Sequence, residues 1–151
     1  MTDRLTICLV GAGSSYTPEI VHGLLGLSPE RLPIGAVHMT DIDERRLSIM
    51  AGLSRRMVAA AGSDVEVRDD VSLDAMLQGA DFVVTEVRVG GMEARYLDES
   101  IPLKYGIIGQ ETTGPGGMMK ALRTIPPMIE IARAVERVCP DAFILNYTNP
   151  S

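Results

Sequence analysis

Leu5-Thr6-Ile7-Cys8-Leu9-Val10, running straight into Gly11-Ala12-Gly13-Ser14-Ser15, is the stretch on which the fold turns. A continuous apolar run that ends in glycine is the pattern of a central parallel strand, buried on both faces. Thr17-Pro18-Glu19 then opens a helix. Thr17 suits the cap, Pro18 the first helical position and Glu19 the positive end of the helix dipole. Ile20, Leu24 and Leu27 supply its apolar stripe.

Working outward, the elements continue to alternate. A loop with Pro29, Pro33 and Gly35 leads to a strand over Ala36–Thr40, ending at Asp41. Asp43 and Glu44 begin a long helix with Leu47, Met50, Leu53, Met57 and Ala61 at helical spacing. Val65–Arg68 reads as a strand, Ser72–Leu77 as a short helix capped by Ser72, and Asp81–Val87 as a fourth strand. Residues 88–117 are rich in Gly and charge and show no clear period. A last helix reaches about Val138, bent or begun at Pro126-Pro127, and Phe143–Leu145 is a fifth strand. Strands and helices alternating in this way mean βαβ units, so the fold class is α/β with a Rossmann-like, doubly wound parallel sheet. Ligands of such sheets bind beyond the carboxyl ends of the strands, which places candidate sites after Val10, Thr40, Val87 and Leu145.

The composition narrows the function classes. Of 151 residues, 46% are hydrophobic and 23% charged, the balance of a globular domain rather than a disordered chain. No apolar run reaches the roughly 18–20 residues of a membrane span, and Met1 to Leu9 lacks a secretory signal's features. Twenty acids against fourteen bases, with no Lys/Arg run and no Trp, argue against nucleic-acid binding. Residues 88–123 run against that trend, with five bases (Arg88, Arg95, Lys120, Arg123 and Lys104) facing four acids (Glu93, Asp98, Glu99, Glu111). An anionic small molecule should favour that segment. Cys8 and Cys139 are too few for a disulfide scaffold and read as reduced thiols of a cytoplasmic protein.

The chemistry centres on the first turn. Gly11 and Gly13 allow a tight bend and close approach of backbone N–H groups to a phosphate at the helix N-terminus, where Ser14 and Ser15 also lie. The third glycine of the usual dinucleotide fingerprint is replaced by Tyr16. Asp41, 28 residues beyond Gly13, can accept hydrogen bonds from an adenosine ribose and favours NAD over a 2′-phosphorylated cofactor; its alternative is a helix cap beside Asp43. Gly114-Pro115-Gly116-Gly117 reads equally as a flexible connection or a helix entry. Arg95 near Asp98 and Glu99 could be a surface ion pair worth under about 1 kcal/mol. Glu111 has no obvious helix to cap, His22 and His38 read as packing residues, and the nine Met as gap-fillers. No His, Cys, Asp and Glu set stands at metal-ligand spacing, so no metal ligand is expected in the chain.

Several of these stretches together resemble glycoside hydrolase family 4. They are Gly13-Ser14-Ser15-Tyr16-Thr17-Pro18, Asp41-Ile42-Asp43, and Arg88-Val89-Gly90-Gly91 with Arg95 and Asp98-Glu99. Tyr105 to Gly117 (YGIIGQETTGPGG), Ala121 to Pro126 and Asn146-Tyr147-Thr148-Asn149-Pro150 complete the set. The GQETTGPGG stretch is the most specific and is similar to the 6-phospho-β-glucosidase branch. The resemblance covers the chain in order, and the family shares its first domain with lactate and malate dehydrogenases.

The resemblance implies a glycosidase outside the two-carboxylate scheme. In the family, NAD⁺ oxidises the sugar at C3, a tyrosine removes the C2 proton, and a divalent metal, usually Mn²⁺, stabilises the enediolate. Elimination, water addition and return of the hydride complete the turnover. Carried over by position, Gly11, Gly13, Ser14, Ser15 and Asp41 would bind NAD, while Arg95 and Asn149 would contact the phosphorylated sugar. Glu111 would raise the basicity of the tyrosine. The metal ligands and the tyrosine lie further along in the family, so residues 1–151 are expected to be an NAD-binding Rossmann-like domain, truncated before the catalytic domain and inactive alone. Relatives are commonly homo-oligomers. The alternatives are a lactate/malate-type dehydrogenase and a stand-alone dinucleotide-binding module.

Overall fold

The computed structural model describes residues 4–149; Met1–Asp3, Pro150 and Ser151 fall outside them. The chain divides into two compact units, where the sequence reading has a single domain. The first holds the chain up to Val87 with Ala134–Tyr147, the second Arg88–Arg133 with Thr148 and Asn149.

In the first unit, β1 (Leu5–Val10), α1 (Thr17–Leu25), β2 (Ile34–Thr40), α2 (Glu44–Ala60), β3 (Glu66–Asp69), α3 (Leu73–Leu77) and β4 (Phe82–Thr85) follow one another. In the second, α4 covers Gly91–Leu103 and α5 Gly114–Val138, whose end returns to the first unit before β5 (Phe143–Asn146). All strand pairings are parallel, in the order β3-β2-β1-β4-β5. The order reverses direction at β1, giving the Rossmann-like switch point between β1 and β4. Register then does something specific. Val10 stands opposite both Thr40 and Thr85, so the three residues that follow, Gly11, Asp41 and Glu86, leave the sheet side by side.

The apolar run of β1 is what centres the sheet, since Ile7, Cys8, Leu9 and Val10 are all buried. Ile7, Leu9, Val37 and Met39 pack with Val21 of α1 and Leu47 and Ala51 of α2 into one core. Burial on α2 runs along Leu47, Ala51, Ser54 and Val58, while Met50 and Met57 flank that line and Ala61 is exposed. Asp43 caps α2 by accepting from the Arg46 N–H, and Ser72 caps α3 through Ala75. Cys8 and Cys139 are free buried thiols; burial, with Cys139 nearby, pushes the Cys8 thiol up to about 12.

Several expectations need correction. Thr17 does not cap α1: Tyr16 occupies that position, and the buried Thr17 hydroxyl turns inward instead. The helix ends at Leu25, so Leu27 is exposed, while Ile20 and Leu24 pack half-buried against the core beside the buried Val21. His22 is exposed, whereas His38 is buried with its Nδ1 2.9 Å from the Met76 carbonyl. Met39 fills the core, but Met92, Met118 and Met119 are exposed. β4 ends at Thr85 rather than Val87, which moves the head of the next loop to Glu86. The stretch without a period contains α4, and α5 starts at Gly114, so the glycines there are a helix entry and the helix continues through Pro126-Pro127. No helix among the described residues is long and apolar enough to cross a membrane.

Candidate functional site

In the first unit the turn after β1 is built by hydrogen bonds from its neighbours. Gly11 and Ala12 donate to the Thr40 carbonyl at 2.9 and 3.0 Å, and Glu86 donates its N–H to Val10 at 2.9 Å. Gly11 has a φ of 94°, and a Cβ there would stand 2.8 Å from the Glu86 carbonyl oxygen, so glycine is required for both conformation and space. A Cβ on Gly13 would meet Asp41 Oδ2 at 2.8 Å.

Asp41 is already engaged. The Gly13 N–H donates to its Oδ2 and the Asp43 N–H to its Oδ1, both at 2.8 Å. The carboxylate therefore ties the glycine turn to the entry of α2, and each oxygen keeps a lone pair for a further donor. Arg46 closes the same link from α2, its Nε donating to the Gly13 carbonyl at 3.0 Å. The Gly13 N–H is thus taken, and so is that of Ser14, which donates to Gly11 at 3.0 Å. The Ser15 N–H has no acceptor among the described residues and opens at the head of α1.

Glu86 adds a group that the sequence reading did not select, because it sat inside the expected fourth strand. Its Oε1 is 2.9 Å from the Thr17 hydroxyl, which is itself 3.0 Å from the Ala12 carbonyl. Its Oε2 is buried with no partner. Burial pushes this carboxyl up to about 7, against the pull of the Thr17 and Ser14 hydroxyls and with help from the charge of Asp41.

The second unit holds a cluster of charge. Glu111, whose side chain is 12% exposed, accepts from Arg88 at 2.7 Å and pairs with Arg95 at 3.4 Å. Arg95 also donates to Glu99, one turn along α4, at 2.8 Å. Arg88 reaches the Asn149 carbonyl oxygen at 3.3 Å. The expected residues Arg95, Glu111 and Asn149 are therefore gathered around Arg88, which the sequence reading did not choose. Pro150, the last residue of the Asn146–Pro150 stretch, lies outside the described residues. Asp98 is not a partner of Arg95 in these pairs: it is buried and held by both terminal nitrogens of Arg123, at 3.2 and 2.5 Å. Lys120 is buried as well. Desolvation lowers its ammonium pKa, Glu111 and Asp98 act to raise it, and Arg88 and Arg123 to lower it. From sequence, the resemblance pointed to Arg95, Glu111 and Asn149, and the excess of positive charge was the signal for Arg88 and Lys120. Among the described residues no group of three His, Cys, Asp or Glu could hold a metal ion.

The profile of the family 4 glycosyl hydrolases matches residues 6–151. A Bacillus subtilis protein named "Probable 6-phospho-beta-glucosidase" is 48% identical over all of this chain, which covers 34% of that protein. The 6-phospho-beta-glucosidase of Escherichia coli is 41% identical, again over the whole chain and 34% of the relative. The chain thus spans about a third of the length of these relatives. The structure of the 6-phospho-beta glucosidase from Thermotoga maritima with manganese, NAD⁺ and glucose-6-phosphate superposes with a TM-score of 0.87 at 41% identity, over 97% of this chain and 35% of that one. Lactate dehydrogenase from Eimeria maxima, at 20% identity and a TM-score of 0.62, shares the fold alone.

Proposed function

The chain belongs to family 4 of the glycosyl hydrolases, and from that premise we propose that it carries the NAD-binding part of a 6-phospho-β-glucosidase. One observation supports this reading most. The register of β1, β2 and β4 sets a glycine turn, a ribose-competent carboxylate and the head of α1 together at the switch point. The open Ser15 N–H offers a donor to a pyrophosphate, and the turn keeps its shape because Gly11 and Gly13 pack too closely on Glu86 and on Asp41 and Arg46 to admit a side chain. Ser15 would donate its N–H to the pyrophosphate, Gly11, Gly13 and Ser14 would form the turn that receives it, and Asp41 would bind the adenosine ribose, its charge disfavouring a 2′-phosphate. Bound there, NAD⁺ supplies a hydride acceptor for oxidation of the sugar. Family 4 stands outside the two-carboxylate glycosidase scheme, so no acid and nucleophile pair is required of this chain.

The charged cluster of the second unit suits the phosphorylated sugar. Arg95 and Asn149 would bind it, and Glu111, paired with Arg88 and Arg95, would tune the base that takes the C2 proton. Among the described residues no three His, Cys, Asp or Glu side chains come together as a donor set for Mn²⁺. The free thiols of Cys8 and Cys139 support a reducing, cytoplasmic setting, and we extend the family's homo-oligomeric habit to the whole protein. The likeness to lactate dehydrogenase gives no support to a dehydrogenase reading, because it is one of fold alone.

The test is hydrolysis of chromogenic 6-phospho-β- and 6-phospho-α-glucosides by the protein as its gene encodes it. Cleavage of the β-anomer that depends on added NAD⁺ supports the reading. Cleavage indifferent to NAD⁺ refutes it.

A further inference from the structure

We propose that the dinucleotide site binds its cofactor with Glu86 in the neutral acid form, so that cofactor binding takes up a proton. The inference rests on the NAD reading above and adds a group to that site. Three observations carry it.

The first is a count of hydrogens. The Thr17 hydroxyl has one proton and two oxygen neighbours, the Ala12 carbonyl at 3.0 Å and Glu86 Oε1 at 2.9 Å. A carbonyl can only accept. When Thr17 donates to Ala12, the contact with Glu86 carries a hydrogen only if the carboxyl supplies it. A protonated Glu86 therefore completes a chain from the loop after β4 through Thr17 to the glycine turn, and an ionised one leaves its Oε1 and the Ala12 carbonyl competing for the single Thr17 proton, with the Ser14 hydroxyl as the other donor facing the carboxyl. The second is Oε2, which is buried and has no partner. An unpaired oxygen of a neutral acid costs far less to bury than one of a carboxylate.

The third is charge. The groups facing Glu86 are the Thr17 hydroxyl from α1, the Ser14 hydroxyl from the turn and the Asp41 carboxylate from the loop after β2. None is a cation, and the nearby Arg46 is turned to the Gly13 carbonyl. The carboxyl meets the turn through the Thr17 and Ser14 hydroxyls, so a pyrophosphate at the turn brings more negative charge to it. An anion beside an acid favours its protonated form, and by linkage protonation favours the anion.

With a carboxyl that titrates at about 7 in the free protein, nine tenths of the molecules are binding-competent at pH 6 and about one tenth at pH 8. NAD⁺ affinity should therefore be roughly tenfold weaker at pH 8 than at pH 6. The experiment is calorimetric titration with NAD⁺ at both pH values for the wild type and Glu86→Gln, the neutral isostere. The wild type should lose affinity as stated, and the variant should bind equally at both. In parallel, wild-type titrations at pH 8 in two buffers of different ionisation enthalpy should show uptake of close to one proton, a result that needs no variant. Binding with the same pH dependence in both proteins, or with no proton uptake, overturns the role of Glu86 while leaving the cofactor reading intact. No NAD⁺ binding by either protein overturns both.

Discussion

Replacing Arg123 with Ala should destabilise the protein more than any exposed ion pair in it could. Asp98 is 5% exposed and accepts from Arg123 at 3.2 and 2.5 Å, while the same guanidinium donates from Nε to the Val89 carbonyl at 2.9 Å. Its removal strands a buried carboxylate and a backbone acceptor at once. Breaking a fully buried pair costs about 3–5 kcal/mol, whereas an exposed pair is worth under about 1 kcal/mol. Two features bring the cost below the buried limit. The Arg123 side chain is 28% exposed, so water can enter the vacated space, and Lys120 remains as a second cation near Asp98. We expect a loss of about 2–3 kcal/mol. With a urea slope of about 1–3 kcal/mol per molar, the unfolding midpoint should fall by roughly 1 M or more. Asp98→Asn removes the charge and keeps the shape, so it should cost less, and the double variant should cost less than the sum. A loss below about 0.5 kcal/mol in Arg123→Ala would refute the reasoning, because surface substitutions alone reach that size.

Other expectations follow from the turn. Gly11→Ala should cost about 2–3 kcal/mol in thermal unfolding, from a positive φ and a Cβ against the Glu86 carbonyl; a negligible change would mean the turn relaxes freely. Asp41→Ala should weaken NAD⁺ by roughly 1–3 kcal/mol in calorimetry, and unchanged affinity would leave Asp41 its turn-and-helix role only. Glu86 should also mark the pH dependence of stability. Its carboxyl titrates at about 7 when folded, against 4.5 for an ordinary glutamate, so the folded state holds the extra proton between these limits and stability falls as pH rises through them. The full shift would correspond to about 3 kcal/mol, which partial solvent access reduces to about 2 kcal/mol. Denaturation at pH 5 and pH 8 should show that loss in the wild type and not in Glu86→Gln.

The sequence showed the sheet clearly where one strong signal sat in each element. In LTICLV the last four residues are buried as their apolar character demands, and the caps Asp43 and Ser72 form as their side chains require. The second unit was harder to read for a physical reason. In α4 the buried positions are Asp98 and Pro102, while Met92, Tyr96, Leu97, Ile101 and Leu103 are exposed, so hydrophobic periodicity does not mark the helix. The start of α5 was hidden by glycines that ordinarily punctuate loops. At the sites, spacing could nominate Gly11, Gly13 and Asp41, because strand ends lie at fixed places. It could not show that Asp41 takes the Gly13 N–H, which leaves Ser15 as the open donor. Nor could it find Glu86 or Arg88. Each becomes visible only when register or a loop return brings distant residues to it, as with Thr17 at 69 positions' separation and Asn149 at 61.

Calorimetric titration of the protein with NAD⁺ and with NADP⁺ decides whether the dinucleotide turn prefers an unphosphorylated ribose. Saturable one-to-one binding of NAD⁺, with NADP⁺ weaker because its 2′-phosphate meets Asp41, is the predicted result. Absence of heat at millimolar NAD⁺, or tighter binding of NADP⁺, would contradict it.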